Sequence, residues 1–159
     1  MIIHKLRIFS QNVRKNSLIT NIILETLSHF DIILIQELPW SEIQKVLSST
    51  NCDGEPLMGT CHHLNWIAFA RPPSNCNDSP RVIFYINIHL SPLRFLLRKD
   101  IFDHCDINLI SFINNGSCHF ILNIYSDSSH SALKYLKDME VNINNVLLMT
   151  GDFNIRDSL

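Results

Sequence analysis

The polar residues of this sequence that could do chemistry stand at the ends of apolar runs. Val146-Leu-Leu-Met149, a run typical of a buried strand, leads into a corner that contains Asp152 and Asn154. Such strand ends are where layered α/β proteins commonly place catalytic groups. An Asp can orient and deprotonate a water that attacks phosphorus, and an Asn can donate to a phosphate oxygen. The alternative is an Asx turn after the strand, with Gly151 supplying an unusual backbone angle.

A second carboxylate, Glu37, follows Gln36 and the apolar run Ile32-Ile-Leu-Ile35. A charge at the point where a strand leaves the core is costly unless something pairs with it. Mg²⁺ is one such partner, because one or two carboxylates and substrate phosphates usually hold this ion. The alternative is a strand-end Glu that lies in solvent or beside Arg14.

Two further strand ends carry polar groups. Asn12 ends the run that begins at Ile8, and its amide could bind a metal-bound carboxylate or a phosphate. Tyr125 follows Phe120-Ile-Leu-Asn-Ile124, and its hydroxyl could donate to a phosphate oxygen. The alternative for Tyr125 is a packed ring with a solvated tip. Together the strand ends predict one polar site.

The elements that position these residues follow from the apolar pattern. Residues 5–13 and 31–38 are predicted strands, and apolar residues at helical spacing after Asn16-Ser17 predict a helix between them. Such a unit places its two strands in parallel. The remaining predictions are strands at 65–71, 82–90, 107–114, 118–126 and 145–151, helices at 41–47 and 129–141, a loop at 48–60, and a hairpin turn at Asn114-Asn-Gly116.

This order predicts the α/β class, with a mixed sheet and helices on its outer face. The other face of such a sheet must also be buried, and little sequence is left to cover it. We therefore expect one partial domain over residues 1–159, with the second half of its layered fold incomplete and the inner sheet face exposed.

Composition excludes several classes of protein. The hydrophobic fraction of 46% and charged fraction of 18% argue against disorder. The net charge of −2 gives no general attraction to nucleic acid, so DNA binding would need a local basic patch. Five scattered cysteines favour an intracellular chain with reduced thiols. No apolar run approaches the ~20 residues of a transmembrane helix, and no membrane partner is expected.

Taken in order, the strand ends resemble the endonuclease/exonuclease/phosphatase superfamily, which includes DNase I-like nucleases, apurinic endonucleases and non-LTR retrotransposon endonuclease domains. The matching segments are Gln11-Asn12-Val13, Ile35-Gln36-Glu37, Ile124-Tyr125-Ser126 and Gly151-Asp152-Phe153-Asn154. The wider segments Ile35-Gln-Glu-Leu-Pro-Trp40, Asn65-Trp-Ile-Ala-Phe-Ala-Arg71 and Gly151-Asp-Phe-Asn-Ile-Arg-Asp157 are most similar to fungal retrotransposon endonucleases.

The resemblance implies half of a four-layered α/β sandwich of the DNase I-like type and Mg²⁺-dependent hydrolysis of DNA, with Mn²⁺ as an alternative metal. It implies that Glu37 is the principal metal ligand and that Asn12 supports the metal and the phosphate. Asp152 would position or activate the attacking water, while Asn154 would orient this water and contact the scissile phosphate. Tyr125 would donate a hydrogen bond to that phosphate. A full-length relative would add a reverse transcriptase domain, and the nucleus would be the site of action.

The sequence also departs from the family. A late Asp and a Ser-Asp-His element have no counterpart before Leu159, so we expect a truncated domain with impaired hydrolysis. No other histidine is predicted to replace the missing one; His130 falls near a helix start without a partner acid. Cys61-His62-His63 lacks a partner pair at zinc-ligand spacing, and Arg94, Arg98 and Lys99 form a basic cluster at helical spacing or a solvated surface. The alternatives are a non-catalytic remnant and a phosphoesterase that acts on another phosphoester.

Overall fold

The computed structural model describes residues 5–40, 46–50, 56–59, 63–71, 79–90, 95–139 and 143–154. These residues form ten strands, two α-helices and one 3₁₀-helix. The strands are β1 (Ile8–Asn12), β2 (Ile32–Gln36), β3 (Val46–Thr50), β4 (Pro56–Gly59), β5 (Trp66–Phe69), β6 (Val82–Asn87), β7 (Leu96–Leu97), β8 (Ile107–Asn114), β9 (Ser117–Tyr125) and β10 (Val146–Asp152). The helices are α1 (Ser17–Thr26), α2 (Ser131–Asp138) and the 3₁₀-helix Ile88–Leu90.

The first sheet has the strand order β1-β2-β6-β5. β1 and β2 are parallel and α1 connects them, which confirms the predicted strand-helix-strand unit. The helix begins after Asn16, whose side chain accepts a hydrogen bond from the Ile19 N–H over 3.0 Å. The register pairs Asn12 with Gln36, so both strands end at the same edge. Glu37 therefore leaves the sheet beside Asn12.

The second sheet has the order β10-β9-β8-β7. β8 and β9 form the predicted hairpin, whose two turn residues Asn115 and Gly116 both have positive φ. This is the conformation that a two-residue turn needs to match the twist of the strands. β10 lies parallel to β9 and pairs Asp152 with Tyr125. These two residues therefore lie side by side at the end of the second sheet.

The two sheets pack against each other through one apolar core. The first sheet contributes Ile32, Leu34, Phe69, Phe84 and Ile86 to this core. The second sheet contributes Leu97, Ile110, Phe112 and Ile121. The expected single sheet with an exposed inner face was wrong, because the later strands form a second sheet that covers this face. Apolar patterning indicates a strand, but it fixes neither its neighbour nor its burial. The run Val146-Leu-Leu-Met149 was predicted to be buried, and this was wrong: it lies in the edge strand β10, where Val146, Leu147 and Met149 are exposed.

One helix covers the outer face of each sheet. Ile23 and Leu24 of α1 pack on the first sheet, and Ala132 and Tyr135 of α2 pack on the second. The layers therefore run helix, sheet, sheet, helix, which confirms the predicted α/β class and the four-layered type. Neither helix of the described part is long and apolar enough to cross a membrane.

Some local predictions were wrong. Residues 48–60 were expected to be a loop, but β3 and β4 pair as an antiparallel hairpin within this region. The helix predicted for 41–47 conflicts with β3 at its end, and residues 41–45 lie outside the described part. The basic cluster is not helical where it is described, because Leu97 belongs to β7 and Arg98 pairs with Asp100. Arg94, Cys61 and His62 lie outside the described residues.

Candidate active site

Polar side chains from four strand ends meet at one edge of the sandwich. Asn12 ends β1 and Glu37 follows β2 in the first sheet, while Tyr125 ends β9 and Asp152 ends β10 in the second. Asn154 lies two residues beyond β10. The structure therefore brings together the five residues that the sequence analysis selected.

The side chain of Asn12 joins two carboxylates from different sheets. Its Nδ2 donates to Glu37 Oε1 over 2.9 Å and to Asp152 Oδ2 over 2.6 Å. Its Oδ1 accepts from the backbone N–H of Arg14 over 2.8 Å, which fixes the orientation of the amide. The single amide group thus holds both carboxylates at one point.

Glu37 has a backbone conformation that is unfavourable for a residue with a side chain. Its φ is +49°, and left-handed conformations of this kind cost roughly 1–2 kcal/mol. The backbone is held there because Glu37 O accepts from Lys15 N over 2.7 Å, and Gln36 O accepts from Val13 N over 3.0 Å. Strained residues held in this way cluster at functional sites. Among the described residues, the Glu37 carboxylate is hydrogen-bonded by Asn12 and Tyr125. The alternative of a Glu37–Arg14 ion pair is therefore not observed there.

Tyr125 is a hydrogen-bond donor in this site. The residue is 9% exposed, and its hydroxyl donates to the Glu37 carboxylate. Burial and then the Glu37 carboxylate raise the pKa of Tyr125 to about 12, while the Arg81 guanidinium acts in the opposite direction. This guanidinium lies 4.9 Å from the centre of the Tyr125 ring. The phenol therefore keeps its proton at neutral pH.

The corner after β10 combines a turn with the site. Asp152 Oδ1 accepts from the backbone N–H of Asn154 over 3.1 Å, which is the hydrogen bond of an Asx turn. Asp152 Oδ2 remains bonded to Asn12, so the turn and the site use different oxygens of one carboxylate. Asn154 has a φ of +44°, and its Nδ2 donates to Ser126 O over 2.7 Å.

Gly151 has a role other than the expected one. Its φ is not in the left-handed region, so an unusual backbone angle does not explain the glycine. A Cβ atom at this position would lie 1.9 Å from the carbonyl oxygen of Ile124 in β9. Glycine is therefore required by the close approach of β10 to β9.

A buried amide pair beneath the site, which was not predicted from the sequence, joins the two sheets. Gln36 Nε2 donates to Asn123 Oδ1 over 2.6 Å and to Ser10 Oγ over 3.0 Å. Asn123 Nδ2 donates to the carbonyl oxygens of Ile35 and Ile83 over 3.2 and 3.1 Å. The pair fixes the ends of β2 and β9 relative to each other. The available signal was the position of both amides next to otherwise apolar runs.

Arg81 is a second residue that the sequence analysis missed. Its guanidinium bonds the fully buried carboxylate of Asp106 through two nitrogens, and it pairs with Asp127 over 3.1 Å. These carboxylates hold the pKa of Arg81 above its usual range against the effect of burial. The Ser129 hydroxyl and then Arg81 lower the pKa of Asp127 to about 2 despite partial burial. Arg81 thereby anchors the loop that follows Tyr125.

An open pocket of about 550 Å³ adjoins these groups. This volume lies within the range of ligand pockets in proteins. Its lining residues are Glu37, Tyr125, Asp127, Ser128, His130 and Asn154.

A cluster of His104, Cys105 and Asp106 offers a second set of metal-ligating atoms within 4.8 Å of one another. However, His104 Nδ1 accepts from the Asp106 N–H over 3.1 Å, and the Asp106 carboxylate is bonded by Arg81. Two of the three donor groups are therefore already engaged. This cluster is better explained as part of the Arg81 ion-pair network.

Comparison with known proteins identifies the fold. No family model and no curated protein matches the chain. Among solved structures it is similar to the endonuclease domain of TRAS1, a telomere-specific non-LTR retrotransposon, with a TM-score of 0.58 and 16% identity over 96% of this chain and 61% of that one. It is also similar to humanized D. rerio TDP2 with 14 mutations, with a TM-score of 0.53 and 14% identity over 96% of this chain and 63% of that one.

The chain therefore spans less than two thirds of the length of either structure. At these identities the similarity establishes the fold alone. This fold is the DNase I-like fold of the endonuclease/exonuclease/phosphatase proteins, as the ordered strand-end motifs predicted.

Proposed function

We propose that this chain is a metal-dependent phosphodiesterase that hydrolyses DNA in the manner of a retrotransposon endonuclease domain, with a rate impaired by the lack of a counterpart to the family's Ser-Asp-His element. The main supporting observation is the amide of Asn12, which holds the carboxylates of Glu37 and Asp152 at one point. The similarity in fold to an endonuclease domain of a non-LTR retrotransposon agrees with this proposal.

The donor atoms at this point suit Mg²⁺, with Mn²⁺ as the alternative. They are the carboxylate oxygens of Glu37 and Asp152, a ligand type that hard divalent cations prefer. Two carboxylates within reach of one amide nitrogen also concentrate negative charge that a cation would neutralise. Glu37 would be the principal ligand, and Asn12 would support it. When bound, the ion would supply Lewis-acid polarisation of the phosphodiester and stabilise the leaving oxygen.

Asp152 is suited to position the attacking water. Both of its carboxylate oxygens accept hydrogen bonds, one from Asn12 and one from the backbone of Asn154. These bonds fix the plane of the carboxylate before a substrate arrives. A fixed carboxylate can orient a water molecule and accept a proton from it without reorganisation during the reaction.

Two neutral donors in the site are suited to the phosphate. Tyr125 retains its proton because its pKa is raised to about 12, and its hydroxyl now donates to Glu37. A phosphate oxygen would take over this hydrogen bond. Asn154 would orient the water and contact the same phosphate, and it lines the pocket together with Tyr125.

The surface beside Asn12 supports DNA as the substrate. Arg14 and Lys15 are exposed there, and Arg14 lines a groove together with Asn12 and Asn16. Basic side chains next to a phosphodiesterase site can bind the phosphates that flank the scissile bond. We further propose that residues 1–159 form part of one domain and that a full-length protein would add a reverse transcriptase domain. Its site of action would be the nucleus.

The decisive experiment is nicking of supercoiled plasmid in the presence of Mg²⁺, Mn²⁺ or EDTA. We expect nicking that requires a divalent ion and that falls by at least about 100-fold in Glu37→Gln and Asp152→Asn. Glu25→Gln is the matched control, because Glu25 is an exposed acid on α1. Absence of nicking with both metals, or equal rates in Glu37→Gln and the wild type, contradicts the proposal.

Thermal unfolding tests the metal separately from turnover. An ion that binds only the folded state stabilises the protein by an amount that grows with the concentration of the ion. We expect the melting temperature of the wild type and of Glu25→Gln to rise with Mg²⁺. The rise should be lost in Glu37→Gln, and a rise that persists there would argue against Glu37 as the principal ligand.

A further inference from the structure

His130 lies in the pocket of the proposed active site, although nothing in its sequence neighbourhood predicted this position. It lines the same pocket as Glu37, Tyr125 and Asn154. It precedes α2, has a φ of +54°, and makes no side-chain hydrogen bond that would cap this helix. The imidazole ring is therefore not used to cap the helix.

The serine next to Tyr125 holds the imidazole ring in place. Ser126 Oγ lies 3.2 Å from His130 Nδ1, and Ser126 is fully buried. The backbone of Ser126 also binds the site, because its N–H donates to Asp152 O over 2.7 Å and its carbonyl accepts from Asn154 Nδ2. One residue thus connects His130 to the corner after β10.

The surroundings of Ser126 select one tautomer of the His130 ring. Among the described residues, His130 is the side-chain partner of the Ser126 hydroxyl. If the hydroxyl did not donate to Nδ1, a buried donor would remain without an acceptor, which is costly. Nδ1 therefore accepts, and the ring proton is on Nε2. The ring nitrogen left for a ligand is a hydrogen-bond donor.

The charges around the pocket give this donor its importance. Glu37 and Asp127 are the acids of the lining, and neither can donate to a phosphate when ionised. Arg81 is engaged by Asp106 and Asp127. His130 is thus the one lining residue of the described part that brings a basic side chain with a free N–H into the pocket.

We infer that His130 is a further substrate-binding residue, whose Nε2–H donates to a phosphate oxygen of bound DNA. Ser126 is the positioning residue that keeps this proton on Nε2. The inference deepens the proposed function and rests on it. It names a phosphate contact that the five strand-end residues do not provide.

Nicking kinetics of His130 variants test the contact. A hydrogen bond to a charged group is expected to be worth about 10- to 100-fold in kcat/KM, so His130→Ala should lose that much. His130→Gln keeps an amide donor and should recover part of the rate, whereas His130→Leu should not. His29→Gln is the control, because His29 is exposed and precedes β2, at the opposite end from Glu37. Equal rates in His130→Leu and the wild type would overturn the inference.

Binding of a fluorescent 20-base-pair DNA duplex in EDTA separates this inference from the proposed function. Under these conditions no turnover occurs, so a chain without nuclease activity can still be compared. We expect His130→Leu to bind the duplex several-fold more weakly than the wild type, with His130→Gln in between. If the wild type binds but does not nick, and His130→Leu binds several-fold more weakly, the proposed function fails while the contact stands. If His130→Leu binds and nicks like the wild type, the contact fails while the function stands.

The tautomer of the His130 ring distinguishes a positioning role of Ser126 from a merely structural one, because a structural role would leave the tautomer unchanged. Nitrogen-15 NMR of the His130 ring should show the proton on Nε2 in the wild type. Ser126→Ala should shift the ring to a mixture of tautomers and lower kcat/KM in the same direction as His130→Leu. An unchanged tautomer in Ser126→Ala contradicts the positioning role.

Discussion

Gln36 of the first sheet donates a hydrogen bond of 2.6 Å to Asn123 of the second sheet in the buried space below the proposed active site. Both side chains are almost completely inaccessible, at 1% and 0% exposure. The bond holds the strand that leads to Glu37 against the strand that leads to Tyr125. The geometry of the site therefore depends on a pair of amides that do not reach it.

Asn123→Ala should destabilise the fold substantially. It removes the buried hydrogen bonds of Asn123 with the Gln36 amide and with the carbonyl oxygens of Ile35 and Ile83, and each is worth about 0.5–1.5 kcal/mol. We expect a loss of about 2–4 kcal/mol in the free energy of unfolding, measured by urea denaturation. Asn21→Ala, on the exposed face of α1, should change it by less than about 0.5 kcal/mol. Equal midpoints for the two variants would contradict the structural role of the pair.

Tyr125→Phe should reduce catalysis while leaving the fold intact. The change removes the hydroxyl that donates to Glu37 but keeps the ring that lies against Arg81. We expect kcat for plasmid nicking to fall by about 10- to 100-fold, because one donor to a developing charge is lost. The melting temperature should stay within a few degrees of the wild type. A variant that nicks at the wild-type rate would exclude Tyr125 as a phosphate donor.

Gly151→Ala should be far more damaging than the same change at Gly116. At Gly151 the new Cβ would collide with the carbonyl of Ile124, so β10 would have to move away from β9. We expect a loss of about 3 kcal/mol or more. At Gly116 nothing lies within 4 Å, and only the φ of +76° penalises alanine, by roughly 1–2 kcal/mol. Similar melting temperatures for the two variants would disprove the close approach.

The loop after Tyr125 should lose stability in acid. The pKa of Asp127 is lowered to about 2 by Ser129 and Arg81, whereas in the unfolded chain it is about 3.9. A lowered folded-state pKa means that the stabilisation is present above about pH 4 and is lost as the pH falls towards 2. We expect Asp127→Asn to be less stable than the wild type at pH 5, with a shallower decline between pH 5 and pH 2. Parallel pH profiles of urea stability would contradict this.

Much of the local structure could be predicted from the sequence. The continuous apolar run before Glu37 predicted a buried strand, and β2 is buried along its whole length. The helix after Asn16 and the hairpin at Asn115-Gly116 were predicted because capping and turn formation depend on neighbouring residues. The candidate site residues were also predicted from local sequence, since each stands at or just after the end of an apolar run.

The sequence alone was thus enough to predict most of the strands, both α-helices and the residues at the strand ends, because hydrophobic runs, caps and turns are local. The division into two sheets, the place of Asn12 between Glu37 and Asp152, and the entry of His130 into the pocket depend on long-range packing. Asn12 and Asp152 are 140 residues apart, and no local preference relates them. Their contact follows from packing two sheets around one core, where buried area selects the partners and hydrogen bonds then fix the alignment.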